Sequence, residues 1–201
     1  FEEYMGVREV LCHNDFHQFN LLVENKPSIQ ELEKFSPKGS LYICDWEMTI
    51  AGPKGKDVGL FHAWPLACAF CHAVQGHKSE SYHLVDCVIQ FWDDYAKVLV
   101  EKGGKDEGYL TDTFRQALGG CSSFMLCGFY MLGLLTENLP LEGVPTDEAG
   151  KAKAAIGLIG LKFARINYMG DMADLNLEEL RAWFKEAITA QIESLLEITT
   201  G

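Results

Sequence analysis

The sequence predicts an α+β fold that is mostly helical, and three observations carry that expectation. Between Val7 and Ile50 the apolar residues come in brief strand-like runs, each bounded by polar or turn residues. After Gly52-Pro53-Lys54-Gly55 the apolar period turns helical and stays so to the end of the chain. Hydrophobic residues make up 48% and charged residues 23% of 201 residues, an ordinary globular composition long enough to bury a core without disulfide or metal staples. Residues 1–201 therefore read as a single unit, with a small β-hairpin region over 1–55 and a helical portion over 56–201.

The elements follow in order. Val10-Leu11-Cys12, Leu21-Leu22-Val23 and Leu41-Tyr42-Ile43-Cys44 are the expected strands. Asn25 to Gly39, with Pro27, Pro37 and several charges, reads as a solvated loop or partly helical insertion between two of them. In the helical portion, Ser79 before Glu80, Thr111 before Asp112, and Thr146 followed by Asp147 and Glu148 are expected helix starts. The last helix carries the clearest signal. Asn176 with Glu179 three residues on has the form of a capping box, and Leu177, Leu180, Phe184, Ile188, Ile192, Leu195 and Leu196 recur at threes and fours. Two uncharged runs, Leu60–Val74 and Ala117–Leu135, are expected to be buried helices rather than membrane spans. The first is short and carries His62, Pro65 and His72; the second holds four glycines and has no flanking Lys/Arg cluster.

The net charge is −12, with 17 Lys and Arg against 29 Asp and Glu. Such a surface repels nucleic acid and anionic lipid, and leaves room for a small phosphorylated ligand whose charge is offset by metal ions or local donors. Seven cysteines, an odd number without the rhythm of a secreted scaffold, read as reduced thiols in an intracellular compartment. The opening residues Phe1-Glu2-Glu3-Tyr4 show no signal-peptide pattern, so the cytoplasm is the expected location, with an organelle left open.

Three stretches carry the candidate chemistry. His13-Asn14-Asp15-Phe16-His17-Gln18-Phe19-Asn20 places an Asp two residues after a His and an Asn five residues after the Asp. Asp45-Trp46-Glu47 follows directly on an apolar strand. Magnesium takes hard oxygen ligands and only one or two protein carboxylates, so Asn20, Asp45 and Glu47 make a usable set if their strands lie side by side. The bland alternatives are a solvated turn for the first stretch and an exposed strand end for the second. In Gly52-Pro53-Lys54-Gly55-Lys56-Asp57-Val58-Gly59, Asp57 opens the first long helix, where its carboxylate either caps backbone donors or braces the preceding loop from behind.

Taken in order, His-x-Asp-x4-Asn, strand, Asp-x-Glu and Gly-Pro-x-Gly-x-Asp-x-Gly resemble the kinase-like small-molecule phosphotransferases, the superfamily of aminoglycoside phosphotransferases, choline kinases and 5-methylthioribose kinases. Cys12-His13-Asn14-Asp15 is similar to the choline kinase form of the loop, and Gly52–Gly59, Ala164-Arg165 and Ala173-Asp174 are most similar to methylthioribose kinase. The resemblance runs over nearly the whole chain, with its specific motifs between Cys12 and Gly59. It implies a kinase-like C-terminal lobe acting with ATP and Mg2+ on a small hydroxylated acceptor. Asp15 is then the catalytic base, with His13 in the same catalytic loop as its brace. Asn20 and Asp45 are metal ligands, Glu47 is an accessory carboxylate on the metal–nucleotide side, and Asp57 braces the loop. His17 and Arg165 are candidate substrate contacts. Two positions depart from methylthioribose kinase: Asn20 stands where a small hydroxyl residue is usual, and a sugar-binding arginine pair is reduced to Ala164-Arg165. The resemblance therefore does not choose an acceptor.

A kinase fold also needs an N-terminal lobe with a phosphate-covering loop and a strand Lys. Nothing in the first eleven residues, at Gly103-Gly104 or at Gly119-Gly120 has that form, so the N-terminal lobe is expected to be absent from these 201 residues. Two readings stay open: a small-metabolite kinase represented by its C-terminal lobe, or a kinase-derived lobe serving as a structural or assembly subunit, with a partner over its exposed face. Other constellations point to structure. Cys68, Cys71 and His72 at helical spacing read as buried thiols beside a His, Phe124, Phe129, Tyr130 and Met131 as core, and no Gly-x-Ser-x-Gly elbow supports a hydrolase.

Overall fold

The computed structural model describes residues 6–23, 41–131, 133, 136–168, 170 and 172–199. Four three-residue strands form two antiparallel pairs. β1 (Val10–Cys12) pairs with β4 (Ile50–Gly52), Leu11 opposite Ala51, and β2 (Leu21–Val23) pairs with β3 (Leu41–Ile43), Leu22 opposite Tyr42. β1, β2 and β3 fall on the expected apolar runs; β4 is an addition, too small in its side chains (Ile-Ala-Gly) to stand out. The expected insertion over Asn25–Gly39 lies outside the described residues.

Five α-helices are described: α1 (Lys56–Ala73), α2 (Lys78–Gly103), α3 (Glu107–Ser123), α4 (Thr146–Tyr168) and α5 (Leu177–Thr199). The chain is thus predominantly helical, with the small strand region first. α1 is the central element, packing against each of the other four helices. It is buried nearly all round, which explains its uncharged sequence: Ala63, Leu66, Ala67, Phe70, Cys71 and Ala73 are all inaccessible. α3 runs on as a π-helical segment, Phe124–Met131, so residues 117–131 of the second uncharged run are helical too and pack against α1 and α4. Among the described residues no helix is long and apolar enough to cross a membrane. Of the four residues expected in the core there, Phe129 is buried and Phe124 packs against it, whereas Tyr130 and Met131 are exposed at 55% and 71%. The π segment faces the core with Met125, Gly128 and Phe129, and Tyr130 instead lies across α4 where Gly157 has no Cβ to obstruct its ring.

Gly55 and Gly59 give a physical reason for the spacing of Gly-Pro-x-Gly-x-Asp-x-Gly. A Cβ on Gly55 would stand 2.2 Å from the Thr113 carbonyl oxygen, and one on Gly59 2.0 Å from that of Ala117. Only backbone fits where the first turn of α1 crosses α3. Across the bundle, aromatic rings lock the helices together: Trp92 to Phe114 at 4.7 Å, Phe114 to Phe184 at 5.6 Å and Phe184 stacked on Phe163 at 5.3 Å. Burying each such ring contributes about 1.5–3 kcal/mol.

The helix starts divide between expected and shifted. α5 has its reciprocal capping box, Asn176 N–H to Glu179 Oε2 at 2.9 Å and Glu179 N–H to Asn176 Oδ1 at 3.0 Å. α4 begins at Thr146 with Asp147 and Glu148 in its first turn. Thr111 is not a cap: α3 starts earlier, where Asp106 Oδ1 accepts from the Tyr109 N–H at 2.8 Å, and the Thr111 hydroxyl bonds back to the Glu107 carbonyl. Ser79 is not a cap either, because α2 already begins at Lys78 with His77 in the flanking position.

Cys71 is buried in the core and Cys68 packs against it half-buried, and burial pushes their pKa up to about 12 and about 11. His72 does not join them; its Nδ1 lies 3.4 Å from that of His77. Among the described residues no group of three or more His, Cys, Asp or Glu is placed to hold a metal ion.

His62 makes stability depend on pH. It is 2% exposed, facing the rings of Phe91 and Phe184, and burial lowers its pKa from 6.5 to about 3. The unfolded chain takes up a proton near pH 6.5 and the folded one does not, so stability is fully present above that pH and falls as the pH drops toward 3. The expected slope is about 1.4 kcal/mol per pH unit from this group. Urea unfolding at pH 7.5, 6 and 5 should show a steeper loss in the wild type than in His62→Gln; parallel curves would contradict the assignment.

Candidate functional site

The site is built where the two strand pairs meet the start of α1. β1 ends at Cys12, and the chain turns at Asn14, whose φ of 70° is left-handed, a conformation Asn tolerates better than most residues. The turn is held from behind by Asp57 in the first turn of α1. Its Oδ2 accepts from the His13 N–H at 2.7 Å and its Oδ1 from the Asn14 N–H at 2.9 Å. Of the two roles open to Asp57 the structure shows the brace. The helix start at Gly55 has no side-chain cap, and the Gly55 N–H goes to Gln116 Oε1 at 3.2 Å.

His13 ties the loop to the other strand pair. It is 2% exposed; its Nδ1 accepts from the Asp15 N–H at 3.3 Å, which puts the proton on Nε2, donating to the Cys44 carbonyl at 2.7 Å. The ring of Trp46 lies 4.7 Å from the His13 ring, and the indole N–H donates to the Ile43 carbonyl. His13 is thereby a positioning residue for both Asp15 and the segment that leads to Asp45.

Asp15 sits half-exposed at the surface of the loop, its side chain 37% accessible. Asn20, in the short 3-10 turn Gln18–Asn20, donates through Nδ2 to the Asp15 carbonyl at 2.9 Å and to Asp15 Oδ2 at 3.2 Å. His17 caps that turn by accepting from the Phe19 N–H at 3.2 Å through Nδ1, and its Nε2 lies 3.5 Å from Asp15 Oδ2. His17 thus has a structural task next to the carboxylate.

β2 and β3 do lie side by side, as the pairing of Asn20 with Asp45 requires. The ladder continues past Ile43, where the Cys44 N–H donates to the Asn20 carbonyl at 3.0 Å, so Asp45 follows directly on the residue bonded to Asn20. Asp45 has φ 65° and ψ 56°, left-handed and exposed, which turns the chain sharply out of the strand into the 3-10 turn Trp46–Met48. Glu47 is exposed in that turn.

Arg165 is the outlier. It stands exposed in the last turn of α4 and lines a cavity of about 420 Å3 with Lys162, Ile166, Met172, Trp183 and others, none of them from residues 12–20 or 41–57. None of Asp15, Asn20 and Asp45 lines that cavity with it. Residues without a motif also contribute. Gln116 Nε2 donates to Glu9 Oε2 at 2.9 Å, and Lys54 Nζ reaches Glu9 Oε1 at 3.2 Å while covering the Tyr109 ring at 4.6 Å. These contacts tie β1, the start of α1 and α3 together. They span up to 107 positions, and no local spacing announces them.

Asp57 sets the loop, so its loss should be visible without any ligand. Asp57→Ala leaves two loop amides without their charged acceptor. Stability should fall by about 2 kcal/mol, the scale of hydrogen bonds to a charged group, and Asp57→Asn, which keeps one acceptor, should lose less. An unchanged urea midpoint for Asp57→Ala would contradict the brace.

No protein-family model, curated protein or solved structure matches the chain.

Proposed function

We propose that this chain is the catalytic lobe of a magnesium-dependent phosphotransferase that moves a phosphoryl group from ATP to a hydroxyl of a small metabolite. The observation that carries the reading is one braced loop in which Asn20 bonds Asp15, with Asp57 fixing two amides of that loop and both His13 and the Asn20 carbonyl joining it to Cys44, the residue before Asp45. A solvated turn has no need of a buried His and a helix-borne carboxylate to hold it.

The residues fit a hard divalent cation. The Asn20 amide donates through its nitrogen to Asp15, so its oxygen is the atom offered to a metal, and Asp45 holds an exposed carboxylate next to it along the ladder. One amide oxygen and one carboxylate suffice for magnesium, which keeps several waters and binds nucleotide phosphates. When bound, the ion supplies neutralisation of phosphate charge. The remaining work belongs to the chain. Asp15 orients the acceptor hydroxyl and takes its proton as that oxygen bonds to phosphorus and the bond to the departing ADP oxygen breaks. Asn20 Nδ2 and His17 Nε2 beside Oδ2 fix the carboxylate's direction.

A second reading has its own observation. The two strand pairs expose a band of large apolar side chains, with Leu11 at 71%, Phe19 at 57%, Leu22 at 54%, Tyr42 at 53% and Trp46 at 47%. An N-terminal lobe would cover such a face in a kinase, and so would a partner protein in an assembly. The two are separated by incubating the intact protein with ATP, magnesium and a panel of small hydroxylated acceptors, and following ADP. Acceptor-dependent ADP formation supports the transferase; none with any acceptor, together with a stable complex through the strand face, supports the assembly subunit.

A further inference from the structure

The corner between α1 and α2 holds two imidazoles that the backbone sets against each other. α1 ends in a Schellman motif. The His77 N–H donates to the His72 carbonyl at 2.9 Å, the Gly76 N–H donates to the Ala73 carbonyl at 3.0 Å, and Gly76 takes the left-handed φ of 74° that closes the turn. The two residues joined by the longer of these loops commonly make an apolar contact. Here both are histidines, His72 half-buried and His77 exposed.

The rings meet nitrogen to nitrogen. His72 Nδ1 lies 3.4 Å from His77 Nδ1, with the ring planes at 42°. That separation is beyond the usual N–H hydrogen-bond range of about 2.7–3.2 Å. It matches the bite of a tetrahedral cation instead. Two Zn–N bonds of about 2.0–2.1 Å at the tetrahedral angle put their nitrogens about 3.3–3.4 Å apart. His72 is also in the ligating form. Burial, and then the neighbouring His77, lower its pKa from the ordinary 6.5 against the opposing charge of Glu80, so the ring is neutral at pH 7. The same Glu80 charge favours a cation at this corner.

We propose that His72 and His77 chelate a divalent cation of the zinc class through their two Nδ1 atoms, clipping the end of α1 to the start of α2. Imidazole suits zinc, copper and nickel, whereas magnesium takes oxygen ligands, so this site is chemically separate from the one read at Asn20 and Asp45. Only two protein ligands are assembled, as no group of three is placed for a metal among the described residues, and water fills the other positions. The ion is therefore exchangeable rather than a permanent staple.

The probe is zinc, titrated into the intact protein carrying Cys87→Ser, with excess magnesium present. The substitution breaks a second exposed donor pair, Cys87 Sγ and His83 Nε2 at 3.6 Å, and magnesium occupies sites of hard oxygen ligands. One equivalent of zinc should bind saturably, raise the melting temperature, and shift the ring 15N resonances of both His72 and His77 in the sense of Nδ1 coordination. His72→Gln and His77→Gln should each weaken binding at least about tenfold, because even residues one shell removed from a metal cost 10–100-fold. Both should leave the far-ultraviolet circular dichroism unchanged. Absence of saturable binding overturns the proposal, as does an affinity that either variant leaves intact, which would place the ion elsewhere on the acidic surface. If a variant does not fold, the resonances of the parent protein decide: either ring left unmoved at saturation, or bound through Nε2, overturns the chelate.

Discussion

Asp15→Asn in the intact protein should lower kcat by about 10²–10⁴-fold, the usual contribution of a general base, while leaving nucleotide affinity nearly unchanged. The reason lies in what the carboxylate faces. A base acts on the acceptor hydroxyl and not on the nucleotide, and the Asn side chain keeps the size and one acceptor oxygen while losing the negative charge that draws the proton. The loop should survive the change, because its shape rests on the Asp15 backbone, donating to His13 Nδ1 and accepting from Asn20 Nδ2, and on Asp57. Asn20→Ala should behave differently, weakening the metal–nucleotide complex as well as turnover. Steady-state kinetics beside a nucleotide titration of each variant separates the two. Equal loss of nucleotide binding in both would reduce the loop to a structural role.

The second large effect belongs to Asp45. Asp45→Asn should abolish magnesium-dependent nucleotide binding, with a loss of about 100-fold or more, since even residues one shell removed from a metal cost 10–100-fold. Its fold should be retained. The side chain is exposed and makes no capping bond, and Asn adopts a left-handed backbone at φ 65° at least as readily as Asp. Unchanged melting with lost binding is the expected pair of results; unchanged affinity would remove Asp45 from the metal site.

How much of this was legible in the sequence depends on the range of the signal. The capping box of α5 and the strands β1 to β3 are written in spacings of two to four residues, and they stand where those spacings put them. Ser79 and Thr111 misled because a capping residue type also occurs inside a helix, where the Thr111 hydroxyl simply bonds back to the preceding turn. The exposure of Tyr130 and Met131 was hidden because a π-helical turn carries no 3.6-residue period to read. At the candidate site, the structure bonds Asp57 to the His13 turn and Asn20 to Asp15, and sets Asp45 one residue after the Cys44 that pairs with Asn20. What the order of these residues did not give is the wiring. Asp57 reaches back 44 positions to the His13 amide and His13 forward 31 to the Cys44 carbonyl, contacts fixed by how α1 docks on the strands.

The central claim is that Asn20 and Asp45 hold a magnesium–nucleotide complex beside Asp15. Calorimetric titration of the intact protein with ATP, with magnesium present and again after its removal by chelation, tests it most directly. The account predicts saturable binding that depends on magnesium and disappears in Asp45→Asn. Nucleotide binding of equal strength with and without magnesium, or no binding under either condition, would contradict it.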